Sequence, residues 1–305
     1  MNEPERPGVY GAPPPDLVAS SPNAIQFSPL IPGSAALETQ GEASLPGMVM
    51  LAPPGTVERR YAMALALRAL APGASLTVLA HNDKGGTRIA KELAGFGCTA
   101  ASASRRHHRL CTTAKPKAPV GLDDAIAEGA PRLLPELGLW SQPGIFNWDR
   151  IDPGSALLLE QLPMLNGNGA DFGCGLGVFA RAVLTSPGVR RLTLIDIDRR
   201  AIEAARRNLD DPRTELRWAD LRDPGLALRD LDFVVMNPPF HDGGAEDKAL
   251  GQMFIRRAAD ALRPGGTCWL TANRHLPYEG VMKPLFSQMT LRVEARGYKV
   301  YEAVR

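Results

Sequence analysis

Asn237, Pro238, Pro239 and Phe240 set an amide, a donor-free backbone and an aromatic face side by side. The asparagine amide carries both a donor and an acceptor. Proline has no amide hydrogen, fixes its own φ and keeps the residue before it extended. The Pro238 carbonyl is therefore held in a stiff segment and is available to accept. Phe240 adds a flat face for stacking. Two acceptors beside an aromatic plate suit a planar ring that bears an exocyclic NH2. The run before them, Leu231 to Met236, is apolar and rich in β-branched residues, which predicts a buried strand. A stop at the carboxyl end of a parallel strand lies where open α/β sheets bind their ligands. The plain alternative is a strand end followed by a Pro-Pro turn, and the rest of the chain weighs against it.

A second group lies upstream. Gly167-Asn-Gly-Ala-Asp171-Phe-Gly173-Cys-Gly175-Leu-Gly177 ends in three alternating glycines, followed by a predicted helix from Val178 to Leu184. Glycines at this spacing leave no Cβ in the way of a bulky polar ligand. A dinucleotide fingerprint from Gly173 needs glycine at 178, which is valine; from Gly175 it meets Ala180, a permitted variant. That reading is weakened and stays open. Asp171 fits another ligand better, because a carboxylate there attracts an amine and repels a pyrophosphate. Asp196 ends the strand Leu192 to Asp196 and can accept from two ribose hydroxyls. Asp198 suits the N-cap of a helix from Arg200 to Asn208. Asp220 ends a third strand and can accept from an adenine amino group, with Trp218 or Leu221 covering the ring. Three acids at three successive strand tips make a joint accident improbable.

These strand tips need an α/β frame to hold them. The chain has 305 residues with 44% hydrophobic and 22% charged content, enough for sizeable cores. Its net charge of +2 does not by itself announce a nucleic-acid binder. Cys98, Cys111, Cys174 and Cys268 are scattered without a CxxC pair, which argues against a zinc site or a disulfide framework and fits a reducing cytosol. There is no apolar run of membrane-spanning length and no signal-peptide layout at the N-terminus, so a cytoplasmic location is expected.

Residues 1–45 are rich in Pro, Gly, Ala and Ser and are expected to be a disordered leader. Residues 46–120 predict helix, strand, glycine loop and helix, half of a doubly wound unit, whose loop lacks any phosphate-binding glycine pattern. Residues 121–142 predict a linker, and residues 143–305 the second domain, opening on a helix that Asp152 or Ser155 can cap. Between 81 and 120 there are eight basic residues against two acids. Arg105, Arg106, Arg109, Lys115 and Lys117 in this stretch are candidate phosphate contacts for RNA, the alternative being an ordinary solvated face. His107 and His108 have no companion at metal-ligand spacing, and no metal is expected.

Asp171-Phe-Gly-Cys-Gly-Leu-Gly177, Asp196-Ile-Asp198 and Asn237-Pro-Pro-Phe240 together resemble class I S-adenosylmethionine-dependent methyltransferases of the branch that methylates exocyclic amines. Pro143-Gly-Ile-Phe-Asn, Asp152-Pro-Gly-Ser, Phe240-His-Asp-Gly and Asn273-Arg-His-Leu-Pro-Tyr-Glu279 narrow the likeness to the family of small-subunit ribosomal RNA guanine-N2 methyltransferases. The resemblance implies a Rossmann-like α/β sheet at 143–305, preceded by a smaller, degenerate copy that lacks cofactor and helps hold RNA; residues 46–120 resemble part of such a copy, shortened. It implies S-adenosylmethionine seated by Asp171, Gly173, Gly175, Gly177, Asp196, Asp220 and Asn237. It further implies a flipped-out guanine of ribosomal RNA, free or in the small subunit, held by Asn237, Pro238, Pro239 and Phe240, and a monomeric enzyme. The competing readings are an amino-methyltransferase for large-subunit RNA, adenine N6 or protein glutamine, and a non-catalytic RNA-binding protein on the same fold.

Overall fold

The computed structural model describes residues 6–239, 241, 242, 245, 246 and 248–305, with backbone alone for 241, 242, 245, 246 and 248. Phe240 and its expected stacking role lie outside the described residues, as does much of the loop from His241 to Gly244. The chain divides into two compact units, Met1–Pro131 and Arg132–Arg305.

In the first unit β1 (Gly8–Tyr10), β2 (Ile25–Phe27), β3 (Leu45–Leu51), β4 (Leu70–His81), β5 (Ala101–Arg105) and β6 (His108–Ala114) form one sheet in the order β2-β1-β3-β4-β6-β5. β1 to β4 pair in parallel, and β5 and β6 are antiparallel. Helix α1 (Thr56–Ala69) follows β3, with α2 (Ile89–Gly95) and α3 (Leu122–Gly129) after β4 and β6. Residues Tyr61 to Leu67 of α1 are all buried. The many alanines permit this, since a helix with apolar residues all round belongs between layers. Gly129 lets α3 close on it: a Cβ there would stand 2.4 Å from the Tyr61 Cβ.

This corrects the reading of residues 1–45 as a disordered leader. β1 and β2 belong to the sheet, and Tyr10, Leu17, Phe27 and Leu37 are buried in its core. The strands are three residues long, too short for a periodic pattern, and the Pro/Gly-rich runs between them are turns. Residues 121–142 are not a linker either. Helix α3 packs in the first unit, while β7 (Arg132–Leu134) and β8 (Leu139–Ser141) pair as a hairpin in the second.

The second unit continues with α4 (Pro153–Leu159), β9 (Gly167–Phe172), α5 (Val178–Val183), β10 (Val189–Asp196), α6 (Arg199–Asn208), β11 (Thr214–Trp218) and β12 (Leu231–Met236). There follow β13 (His241–Asp242), β14 (Ala245–Glu246), α7 (Lys248–Ala261), β15 (Leu262–Asn273), α8 (Glu279–Met282), β16 (Gln288–Ala295) and β17 (Tyr298–Val304). The main sheet has the order β11-β10-β9-β12-β15-β17-β16. The chain leaves β9 in one direction and returns to its other side at β12. The strand order therefore reverses between β9 and β12, which opens a crevice at their carboxyl ends. Ala170, Phe172, Val234, Val235 and Met236 on these two strands are fully buried, so the crevice stands on a rigid floor.

The two sheets repeat one plan: β2-β1-β3-β4-β6-β5 matches β10-β9-β12-β15-β17-β16 strand for strand. The first unit is thus a fuller copy than its sequence suggests. A local detail recurs too, with Pro72-Gly73 and Pro264-Gly265 at the third and fourth positions of β4 and β15 and glycine φ of 75° and 77°. β3 ends in Ala52-Pro53-Pro54 where β12 ends in Asn237-Pro238-Pro239. In the first unit that strand end is closed from within. The buried Arg59 guanidinium donates to the Pro53 and Pro54 carbonyls at 3.3 and 2.7 Å and pairs with Glu92 at 2.6 Å. Arg59→Met is expected to destabilise the protein by about 3 kcal/mol, because Glu92 would keep a shielded charge without a partner. Urea unfolding followed by circular dichroism measures it, and an unchanged midpoint would refute the role.

Candidate active site

The crevice brings the glycine loop and the Asn-Pro-Pro segment together. Phe172 and Met236 are register partners across β9 and β12, so Gly173 and Asn237 leave the sheet side by side. Gly173 and Gly175 have φ of 73° and 52°, left-handed backbone that other residues adopt only with strain. A Cβ on Gly175 would meet nothing within 4 Å, so the loop borders open space there. The loop is braced from behind by Asn208, at the end of α6. Its amide donates to the Leu176 and Trp140 carbonyls, both at 3.0 Å, and accepts from the Trp140 amide at 2.6 Å. Nothing in the sequence marks this residue, because its partners come from the glycine loop and from a hairpin 68 positions away.

Asp171 is fully buried on β9, and neither carboxylate oxygen has a hydrogen-bond partner among the described residues. Burial first, and then the charge of Asp196, push its pKa well above the usual carboxylate range; the Ala180 amide gives partial relief without a formed hydrogen bond. A native protein rarely leaves a buried carboxyl unpartnered unless something else is meant to meet it. Asp196 is held more firmly. Its two oxygens accept from the Gly175 and Asp198 amides, both at 2.9 Å, which ties the tip of β10 to the glycine loop. Burial raises it to about 6 against the pull of those amides, and the side chain keeps some contact with solvent. Each oxygen retains a lone pair for a further donor. The Cys174 thiol between these acids is also pushed well up, by burial and then by Asp196 and Asp171, which disfavours a thiolate nucleophile.

The other acids divide differently. Asp198 caps α6 by accepting from the Arg200 amide at 2.9 Å and also grips the Arg200 guanidinium. Asp220 lies two residues beyond β11, where it accepts from the Arg222 amide at 2.8 Å and pairs with its guanidinium at 2.9 Å. Its capacity to meet an adenine is therefore shared with Arg222. Trp218 donates to the Ile197 carbonyl at 2.8 Å, fixing the tip of β11 against the loop after β10.

Asn237 has both amide hydrogens engaged. Nδ2 donates to Asp152 Oδ2 and to Ser155 Oγ, each at 2.9 Å. The Asp152 carboxylate can only accept, so it settles which end of the amide faces it. The oxygen is therefore at the end of the amide turned away from that carboxylate. Asp152 and Ser155 were legible as a helix cap, and Asp152 does cap α4 through the Ser155 amide at 2.8 Å. Their hold on Asn237, 85 and 82 residues away, carried no signal in the sequence.

The candidate RNA contacts sit in the first unit. Arg105, Arg106 and Arg109 lie on or next to the β5–β6 hairpin, whose two-residue turn places Arg106 and His107 at φ of 44° and 62°. Arg106 pairs with Asp16. Lys117 is exposed. Lys115 departs from the expectation: its ammonium donates to the Arg68 and Leu70 carbonyls at 3.2 and 2.7 Å and so caps the carboxyl end of α1. No group of histidine, cysteine and carboxylate side chains suited to a metal occurs among the described residues. No helix among them is long and apolar enough to cross a membrane.

Residues 136–302 match the model of the methyltransferase small domain family. Ribosomal RNA small subunit methyltransferase C of Pseudomonas aeruginosa strain LESB58 is 33% identical, over 97% of this chain and 94% of its own length. The chain belongs to this methyltransferase family. The corresponding protein of Shewanella piezotolerans is 31% identical over 80% of this chain and 73% of its own. Among solved structures, the T. thermophilus 16S rRNA N2 G1207 methyltransferase, determined with AdoMet and guanosine, superposes with a TM-score of 0.79 at 22% identity. That match covers 100% of this chain and 90% of the other, so the likeness in fold includes the smaller N-terminal unit.

Proposed function

We propose that this protein transfers a methyl group from S-adenosylmethionine to the exocyclic N2 amine of a guanine in 16S ribosomal RNA. The reading rests above all on Asn237, an amide whose two hydrogens are pinned and whose oxygen is thereby presented as an acceptor. Family membership and the reaction named for the relatives support the substrate. When bound, S-adenosylmethionine supplies an electrophilic methyl on a sulfonium. The residues at the crevice suit it: Asp171 for the ammonium of its amino-acid end, Gly173, Gly175 and Gly177 for close backbone approach, and Asp196 for the ribose hydroxyls. Asp220 is proposed for the adenine amine and has to share that role with Arg222.

Asn237 Oδ1 and the Pro238 carbonyl accept from the two hydrogens of the guanine N2. This turns the nitrogen lone pair toward the methyl carbon. The guanine amine is a poor base, so alignment matters more than prior removal of a proton. As the N–C bond forms and the methyl–sulfur bond breaks, its electron pair going to sulfur, positive charge moves onto N2 and is shared through these hydrogen bonds until its proton leaves to solvent. Catalysis is thus positioning and electrostatics without a covalent enzyme intermediate. Phe240 stacks on the base, whose extrusion costs a few kcal/mol unless it is already unpaired. Arg105, Arg106, Arg109 and Lys117 are proposed to meet RNA phosphates. The protein is expected to act in the cytoplasm as a monomer on ribosomal RNA or the small subunit.

The test is transfer from labelled S-adenosylmethionine to 16S RNA and to 30S and 50S particles from a strain lacking this protein, with nucleoside analysis of the product. N2-methylguanosine in 16S RNA is the expected result; methyladenosine, or transfer to 50S particles alone, would overturn the substrate.

Cofactor binding should also report on Asp196. The ionised carboxylate is the better acceptor for ribose hydroxyls, and it is lost as pH falls through about 6. The dissociation constant measured by calorimetry is expected to rise, by up to about tenfold per unit, as pH falls below that point. Asp196→Asn should remove this limb, and a limb that persists in the variant would assign it to another group.

A further inference from the structure

Asp152 does more than cap a helix. It is 8% exposed, and three donors converge on its carboxylate. Asn147 Nδ2 reaches Oδ1 at 3.1 Å, while the Ser155 amide and Asn237 Nδ2 reach Oδ2 at 2.8 and 2.9 Å. All three are neutral N–H groups. No arginine or lysine pairs with this carboxylate among the described residues, unlike Asp198, Asp211 and Asp220, each of which grips an arginine. Asn147 is itself held at φ 47°, in left-handed backbone, while its amide reaches Asp152. The Tyr298 ring closes another side, since a Cβ on Gly154 would lie 2.5 Å from it and 3.0 Å from Asp152 Oδ2. A shielded negative charge with no counter-ion is costly to keep, and here it stands directly behind the amide of Asn237.

We propose that Asp152 is a positioning residue for methyl transfer, setting both the orientation and the acceptor strength of Asn237. This rests on the reading of Asn237 as the acceptor for the target amine. Orientation follows from chemistry: a carboxylate has no hydrogen to give, so Asn237 must present Nδ2 to it and Oδ1 to the substrate. Strength follows from polarisation. A charge-assisted hydrogen bond to Nδ2 draws electron density through the conjugated amide toward Oδ1, which then accepts more strongly. The negative charge also favours the positive charge that grows on the substrate nitrogen as the N–C bond forms and the C–S bond breaks. It acts in the transition state more than in the ground state, so it belongs in kcat and not in cofactor affinity. Ser155 holds the second amide hydrogen and prevents rotation.

The decisive variant is Asp152→Asn. Asparagine caps helices as well as aspartate does, so α4 and the fold should survive. The new side chain can donate, however, which lets Asn237 turn over, and it carries no charge. With methyl-free 30S particles as substrate, kcat is expected to fall by about 10- to 100-fold, while the dissociation constant for S-adenosylmethionine and the melting temperature stay close to wild type. Adding Asp152→Asn to Asn237→Ala should cause no further loss, since the two act through one group. Ser155→Ala should show a smaller fall in kcat of the same kind. Wild-type kcat in Asp152→Asn, beside a strongly impaired Asn237→Ala, would overturn the proposal and leave Asp152 a helix cap. Full activity in Asn237→Ala would be a different failure: it would remove the acceptor reading, and this proposal with it.

Discussion

Asn237→Ala is expected to lower kcat for methyl transfer by about a thousandfold, the scale seen when one pre-aimed hydrogen-bonding group is removed from a developing charge. The dissociation constant for S-adenosylmethionine should change by less than about threefold, since the main contacts proposed for the cofactor lie at the ends of β9 and β10. The effect is large because the amide is rigid. Its two hydrogens are fixed on Asp152 and Ser155 at 2.9 Å, so Oδ1 needs no reorganisation to meet the amine. Removing the amide also strips Asp152 of one of its three donors, so a modest fall in melting temperature is expected as well. Single-turnover transfer to 30S particles separates the two effects, because it reads chemistry on folded, cofactor-loaded enzyme. A variant within about fivefold of wild type in that assay would show that alignment by Asn237 is not what lowers the barrier.

Asp196→Ala should act on the other side of the reaction. Two hydrogen bonds from ribose hydroxyls to a charged acceptor are worth about 1.5–3 kcal/mol each, so cofactor affinity should drop by roughly 10²- to 10⁴-fold. The carboxylate also holds the Gly175 and Asp198 amides at 2.9 Å, and the alanine leaves both without that partner. The glycine loop loses its tie to β10, which adds to the loss. At saturating S-adenosylmethionine, kcat should recover to within a few-fold of wild type, because Asn237 and the Pro238 carbonyl are untouched. Calorimetric titration measures the first effect and a kcat–KM split the second. Unchanged affinity would move the ribose away from the tip of β10.

The parts of the site that sequence made legible are those in which chemistry and backbone constraint fall within a few residues. The alternating glycines, the acid at the tip of β10 and the Asn-Pro-Pro stop each declare themselves locally, and the strand order then brings them to one crevice. What stayed hidden depends on distance along the chain. Asp152 could be read as a cap from its neighbours, yet its partner Asn237 lies 85 positions away. Asn208 looks like the frayed end of a helix until its three hydrogen bonds to Trp140 and Leu176 are seen. Lys115 reads as part of a basic surface because charge alone cannot show that an ammonium is spent on helix carbonyls. Local composition also misled. The proline-rich segments around Gly11 and Pro32 are turns that follow strands of three residues, and these short strands are held by pairing of β1 with β3 and of β2 with β1, and by burial of Tyr10 and Phe27.

The closure of the first unit's strand end by Arg59 gives the doubled architecture a direction. Both units end the equivalent strand in consecutive prolines, which offer carbonyls and no amide hydrogens in return. One copy answers its own offer with a guanidinium from the next helix, so that strand end is filled from within. On the proposed reading the other makes the same offer outward, beside Asn237, and is completed by the target base. Arg59 is in that sense a resident guest, and the planar, nitrogen-rich group it lodges shows what shape such a strand end will hold. On that reading the halves differ less in scaffold than in whether the last contact at this strand end comes from inside the chain or from outside.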